Sequence, residues 1–455
     1  MSSQKKVCNP EKTCCNHHPP SCCTFERTGR DHERQKWVQC RTCWPDDKSG
    51  ACIYCSEHCH KGHDLGEIRE SRFFCDCPCT TNRPKNLTPL KPTPVTLKNF
   101  SHEMLLRLPT NNNGSMCSPL ATALVFAMLH SGANGDTAKE FRIPYKGRLC
   151  PDGIAYICNV MCKSDAAHES LRMSNFVLVQ QSLGLKPEFQ NDISKCAVVS
   201  AEDFGSEGAT NRLNQLIAKA TNGEIKDMLQ ANSLDKLTLM VTGNAIHFAA
   251  KWARTFDTKS TLNDVDFIST DRSKHKVQMM HQTSHFPYIK ASGMHILEME
   301  CEDSTYKFVF VLPVDKPTPR GAFDHRILTS PEYRDALAKM TRQKVEVYLP
   351  RLNQSEDLDL IPVCQKMGIV KPFTDNADFS KMCNMKSFIS IVKQKLRVSW
   401  DEQGARASVA TVAVSKFRGG PSSHAVFNAD HSFVYALYTV KCEVPIVVGF
   451  YDPKD

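Results

Sequence analysis

Residues 396–433 read LRVSWDEQGARASVATVAVSKFRGGPSSHAVFNADHSF, and the fold turns on how this stretch is understood. It opens as a strand: Leu396, Val398 and Trp400 alternate with Arg397 and Ser399, the period-2 pattern of a half-buried strand. A polar corner, Asp401-Glu402-Gln403-Gly404, follows. Next comes a run of small or β-branched residues, 405–414, and then a loop, 415–423, holding Lys416, Phe417, Arg418, Gly419, Gly420 and Pro421. Paired as a strand, the run would put Ala405, Ala407, Val409 and Thr411 on one face, and Arg406, Ser408, Ala410 and Val412 on the other. Its charge then falls on the face able to meet water. The opposite face is small enough to slide beneath neighbouring strands without overpacking a core. Ala/Val-rich runs are most often ordinary strands or helices, so the reading depends on the rest of the chain.

At 455 residues the chain can bury at least one large core. Its formal charge of +8 is modest for that length, with no run of five like charges, so nucleic-acid binding is not expected. The longest apolar run, 121–129, suits a core helix and is too short for a membrane span. The opening MSSQKKVCNPEK has no apolar signal region, which sets the expectation of a cytoplasmic or nuclear protein, with leaderless export left open. No G-x-S-x-G, H-E-x-x-H, P-loop or dinucleotide fingerprint occurs, so the chain is not expected to be an enzyme.

Cysteine usage is lopsided. Thirteen of 22 cysteines precede Thr80, interleaved with six histidines. Without a signal peptide, that density points to metal rather than disulfides. The order is Cys23, Cys40-x-x-Cys43, Cys52-x-x-Cys55, Cys59-His60-x-x-His63, Cys75-Asp76-Cys77 and Cys79. C-x-x-C turns present two thiolates at the separation that clasps one tetrahedral zinc. About ten ligands suit two or three Zn²⁺ ions, and a segment this short needs them to fold. Cys8, Cys14, Cys15 and Cys22 are extra ligands or free thiols. Residues 1–21 form a tail, 22–79 the metal module, 80–95 a proline-rich linker, and 96–455 the second domain.

That second domain resembles the serpin family. Glu402, Gly404 and the small residues 405–410 match the hinge of the serpin reactive-centre loop (about 402–425), and FNADHSF matches the C-terminal signature. Elements in family order support this: an apolar helical pattern over 97–108, a helix from Ser118-Pro119 to Leu129, SGANGDTAKEF, a buried strand ending at Trp252, KFVFVLPVDK, KVEVYLPRL and PIVVGFYD. The resemblance implies an α+β fold with a large central sheet and an exposed loop. It also implies a bait bond between Arg418 and Gly419, with cleavage after Phe417 or Lys416 as the alternatives, and Ala405, Ala407 and Val409 in the inserting hinge. Arginine there fits the acidic specificity pocket of a trypsin-like serine protease, with a cysteine protease as the alternative target. Ser118, Asn244 and Trp252 match positions that hold the sheet shut. Gln394 stands where a histidine is usual and Ala121 where a second serine often sits, giving the expectation of a weaker gate.

The metal module resembles a UBR box, the zinc finger that binds protein N-termini. By that resemblance Cys40, Cys43, His60 and His63 share one site, while Cys23, Cys52, Cys55, Cys59, Cys75 and Cys77 fill the others. Asp47, Phe74 and Asp76 fall at pocket positions, where carboxylates would pair a desolvated ammonium or guanidinium. Pro78-Cys79 replaces the Gly-Asp often found after the last motif cysteine. Three functions compete: a protease inhibitor whose zinc module recruits partners, an N-degron adaptor of the ubiquitin pathway on a non-inhibitory serpin scaffold, and a non-inhibitory serpin, suggested by Gln394 and Ala121, whose loop is cleaved as a substrate.

Overall fold

A computed structural model describes residues 33–41, 51–52, 56, 64–73, 94–108, 116–145, 170–194, 196–231, 233–302, 304–316, 323–404, 424–439 and 444–453. The chain divides into two compact units, Met1–Val95 and Thr96–Asp455.

In the first unit, strands β1 (Glu33–Cys40), β2 (Ala51–Cys52) and β3 (Leu65–Phe73) form an antiparallel sheet in the order β2-β1-β3. Its described apolar core is thin: Trp37, Val38 and Ala51. The Trp37 indole donates to Ser71 Oγ at 2.9 Å, and the Arg69 guanidinium lies over its ring.

The second unit is built on helices and two sheets. The helices are α1 (Pro94–Arg107), α2 (Pro119–Gly132), α3 (Gly135–Phe141), α4 (Pro187–Ile193), α5 (Ala209–Ala220), α6 (Pro331–Lys339) and α7 (Ile361–Lys366). The strands are β4 (Met116–Cys117), β5 (Leu171–Gln180), β6 (Val198–Glu202), β7 (Met240–Phe248), β8 (Leu262–Ile268), β9 (Lys274–Ala291), β10 (Met294–Glu300), β11 (Tyr306–Pro313), β12 (Thr341–Pro350), β13 (Leu352–Asp359), β14 (Ile391–Trp400), β15 (Ala425–Asn428), β16 (Phe433–Thr439) and β17 (Pro445–Tyr451). Five strands run β13-β14-β7-β5-β6, and the remaining nine form a second sheet.

Sequence pattern accounts for the main elements. In α1, Leu97, Phe100, Met104, Leu105 and Leu108 are buried at helical spacing, while Lys98 and His102 face out. The helix starts at Pro94, two residues inside the expected linker. Ser118 caps α2 by accepting from the Ala121 amide, and Pro119 occupies the first turn. α2 is buried on nearly all sides, as its uninterrupted apolar sequence requires. β7 is buried at every position, the mark of a strand covered on both faces. It ends at Phe248, four residues before the end read from its hydropathy. Beyond it Lys251 and Trp252 make single bridges, to Gly404 and Cys301. Leu213 and Ile217 of α5 cover Phe176, Leu178 and Val241 on one face of the five-stranded sheet. Among the described residues no helix is long and apolar enough to cross a membrane.

Candidate functional site

The site is the seam between β7 and β14. These neighbours are parallel and pair directly from Ile391↔Val241 to Val398↔Phe248, whereas the flanking pairs β14–β13 and β7–β5 are antiparallel. The chain leaves β14 at the end where residues 401–404 turn. A segment folding back from there would run antiparallel to both β7 and β14, exchanging one parallel ladder for two antiparallel ones, which are slightly more stable per residue.

Four hydrogen bonds hold the middle of the seam. Gln394 Oε1 accepts from the Ser118 amide at 2.6 Å. Its Nε2 donates to Ser118 O (3.2 Å), Thr122 Oγ1 (3.0 Å) and Asn244 Oδ1 (3.0 Å). Gln394 and Asn244 are directly opposite in register and fully buried. A weaker gate was expected where Gln394 replaces a histidine. The side-chain amide carries both a donor and an acceptor and uses them to tie β14 to β7 and α2. Ala121, fully buried, donates its backbone N–H to Ser118 Oγ. Asn244 Nδ2 remains buried without a hydrogen-bond partner. Opposite Lys393, Gly243 lets the two backbones close: a Cβ there would stand 1.8 Å from Lys393 O.

The end of the seam is held differently. Glu402 is 2% exposed, and its carboxylate accepts from Arg351 Nε (2.9 and 3.0 Å), Arg351 Nη2 (2.7 Å) and the Thr261 hydroxyl. Burial pushes this carboxyl up, but the hydrogen bonds from Arg351 and Thr261 outweigh it and hold it below the usual range. Arg351 also donates to Gln278 Oε1 at 2.6 Å. Trp252 anchors the same corner, its indole donating to Asp401 O (2.8 Å) and its backbone N–H to Gln403 O (3.0 Å). Gly404 has φ +138°, and a Cβ on it would stand 2.2 Å from Ala250 O. Only glycine serves there.

Sequence reading named Ser118, Asn244, Trp252, Gln394, Glu402 and Gly404, and the structure gathers all six along this seam. It missed Arg351, Thr261, Thr122 and Gly243. The first two lie 51 and 141 residues from Glu402. Arg351 carried a faint signal as the charge closing an otherwise apolar strand end. Ala405, Ala407, Val409, Arg418 and Gly419 lie outside the described residues.

In the first unit, Cys40 ends β1 and Cys52 ends β2. Cys23, Cys43, Cys55, Cys59, His60, His63, Cys75 and Cys77, with Asp47, Phe74 and Asp76, lie outside the described residues. Trp37 stands opposite Cys52 in the ladder, so Cys40 starts about 10 Å further along at ~3.4 Å per residue. The donor set of thiolates and imidazoles is chemically a zinc set.

Comparison with known proteins agrees with both halves. A family model described as "Serpin (serine protease inhibitor)" matches residues 96–453, and one described as "Putative zinc finger in N-recognin (UBR box)" matches 21–87. Human Serpin B8 is 29% identical over 340 residues, 72% of this chain and 89% of its own. Bovine leukocyte elastase inhibitor is 29% identical over 359 residues, 74% of this chain and 93% of its own. The crystal structure of a serpin of the insect Tenebrio molitor superposes with a TM-score of 0.67 at 24% identity, covering 80% of this chain and 98% of that one. Members of this family are not themselves catalysts, and not all of them inhibit proteases. The chain therefore belongs to the serpin family and carries an N-terminal zinc finger of the UBR-box type.

Proposed function

We propose that the chain traps a trypsin-like serine protease by suicide-substrate loop insertion. The protease attacks the Arg418–Gly419 bond and becomes acylated. The freed segment then enters between β7 and β14 and carries the protease with it. The observation that carries this reading is the closed parallel seam, with the chain leaving β14 at Gly404 and twenty residues separating that glycine from Ala425. Ala405, Ala407 and Val409 are small enough to enter first. About ten newly paired residues, at roughly 0.5–1.5 kcal/mol net per hydrogen bond, supply on the order of 10 kcal/mol. That equals the stability of a typical domain and suffices to distort an active site.

The zinc module, holding two or three Zn²⁺ ions through its ten cysteines and histidines, would bring protein N-termini to the inhibitor, with Asp47 and Asp76 pairing the free amine or a basic first side chain. Incubation with trypsin tests the main claim. A covalent complex should survive denaturing electrophoresis and vanish in Arg418→Ala, whereas cleavage without a complex would sink the inhibitor reading. For the module, a peptide beginning with Arg should bind more tightly than its acetylated form; equal binding removes this role.

A further inference from the structure

The face of the five-stranded sheet that α5 covers ends in a row of basic residues. Arg172 of β5 stands directly opposite His247 of β7, and His247 directly opposite Arg397 of β14. Residues paired in register project to the same face, so the three side chains line up across three adjacent strands. They share that face with Phe176, Val241 and Ala245, the apolar rows beneath α5.

Two neighbouring lysines on the same face of β14 are matched by acids. Lys393 pairs Asp357 at 3.2 Å, and Lys395 pairs Asp227 at 2.9 Å. The side chains of Arg172 and Arg397 have no hydrogen bond or ion pair among the described residues. Arg397 is exposed and Arg172 half-buried. Between them His247 is 9% exposed, and its Nδ1 is buried without a hydrogen-bond partner. The acid that approaches is Glu224, whose Oε2 lies 3.6 Å from His247 Nε2, beyond hydrogen-bond length. Burial draws the His247 imidazole down from its ordinary range, Glu224 raises it, and Arg397 and Arg172 lower it again; the net direction is down. Both arginines flank His247 in the ladder register.

We propose that Arg172 and Arg397 form a clamp for a compact dianionic oxyanion, of the class of inorganic phosphate and sulfate, seated over His247 and clipping β14 to β7 and β5. Strands about 4.8 Å apart put the two arginine backbones about 10 Å apart. Forked guanidinium groups close over one tetrahedral anion from opposite sides at that span, each offering paired N–H donors. The two arginines stand on opposite sides of the seam, so the anion resists its opening. This second half rests on the loop-insertion reading: a strand entering between β7 and β14 would part His247 from Arg397 and break the clamp.

The test is titration of the uncleaved full-length chain with inorganic phosphate, followed by calorimetry and by melting temperature, against chloride at equal ionic strength. Phosphate should bind and raise the melting temperature, and sulfate should do the same. Arg172→Gln and Arg397→Gln should each weaken binding about tenfold, the loss of roughly one charge-assisted hydrogen bond. Glu224→Gln, which removes the competing carboxylate, should tighten it. Lys344→Gln, an exposed cation on the other sheet, should change nothing. A response equal to that of chloride, or binding unaltered in both arginine variants, would overturn the site. The loop-cleaved chain should bind phosphate at least about tenfold more weakly; equal binding would overturn the clip. If cleavage leaves the melting temperature unchanged, the insertion reading fails, and phosphate binding to the uncleaved chain still decides the site.

Discussion

The middle and the end of the β7–β14 seam are locked by different chemistry. Gln394 holds the middle with a neutral amide network to Ser118, Thr122 and Asn244. Glu402 holds the end with a buried charge pair to Arg351. A neutral lock is indifferent to pH, and truncating it leaves neutral groups unsatisfied. A buried ion pair fails in acid, and truncating one side strands a charge. The stronger and more conditional latch thus sits where the loop leaves the sheet, and the constitutive one sits deeper.

The largest effect expected is at the end. Glu402→Ala should destabilise the uncleaved chain by about 3–5 kcal/mol, because it leaves Arg351 facing an empty, largely buried site. Urea unfolding measures this, and a loss equal to that of Gln394→Ala would erase the distinction. The Glu402 carboxyl lies below its ordinary 4.5 in the fold, so its contribution is full above that value and lost as pH falls through the folded pKa. Gln394→Ala comes next. It should cost about 2–3 kcal/mol through the buried Ser118 amide and Asn244 carbonyl left without partners, with no pH dependence of its own.

Gln394→His is the substitution designed to break the comparison. An imidazole buried at that position is stable only when neutral, so stability should fall as pH drops below about 6.5. The variant should match the parent at pH 8 and unfold at lower urea at pH 5.5. A flat difference between the two pH values would show that solvent or a nearby group accommodates the proton.

Local pattern made some of this legible. The alternation of Leu396, Val398 and Trp400 marked β14, the spacing of Leu97, Phe100 and Met104 marked α1, and Ser118-Pro119 marked the start of α2. The corner at Glu402–Gly404 was legible as a hinge through family resemblance. Its latch was not, because Arg351 and Thr261 reach Glu402 across 51 and 141 residues and nothing local announces them. Gln394 was legible only as a departure from a histidine, because its partners Ser118, Thr122 and Asn244 lie 150 to 276 residues away. β7 stopped at Phe248 although apolar residues continue, because the Trp252 amide is taken by Gln403 O rather than by a strand partner. In these three cases the deciding term is a long-range hydrogen bond, which no windowed pattern of hydropathy contains.

The smallest expected effect separates the latch's acid response from the background of the sheet. Glu356 lies on β13, beside β14, and burial with Asp357 raises its carboxyl to about 7 despite a hydrogen bond from the Met116 amide. A carboxyl whose pKa is higher folded than unfolded favours folding as it binds a proton. Its penalty is full above pH 7 and disappears as pH falls toward 4.5. Discounted for partial exposure, that penalty is about 1 kcal/mol. Glu356→Gln should therefore be more stable than the parent at pH 8 by this amount and equal to it near pH 5. His130 and His295, both lowered to about 4 mainly by burial, push the other way below pH 6.5, but they are common to both proteins and cancel in the difference. With the Glu356 background removed, the acid loss that remains and disappears in Glu402→Ala belongs to the end of the seam. If none disappears, the charged latch does not set the acid response, and both ends of the comparison are held alike.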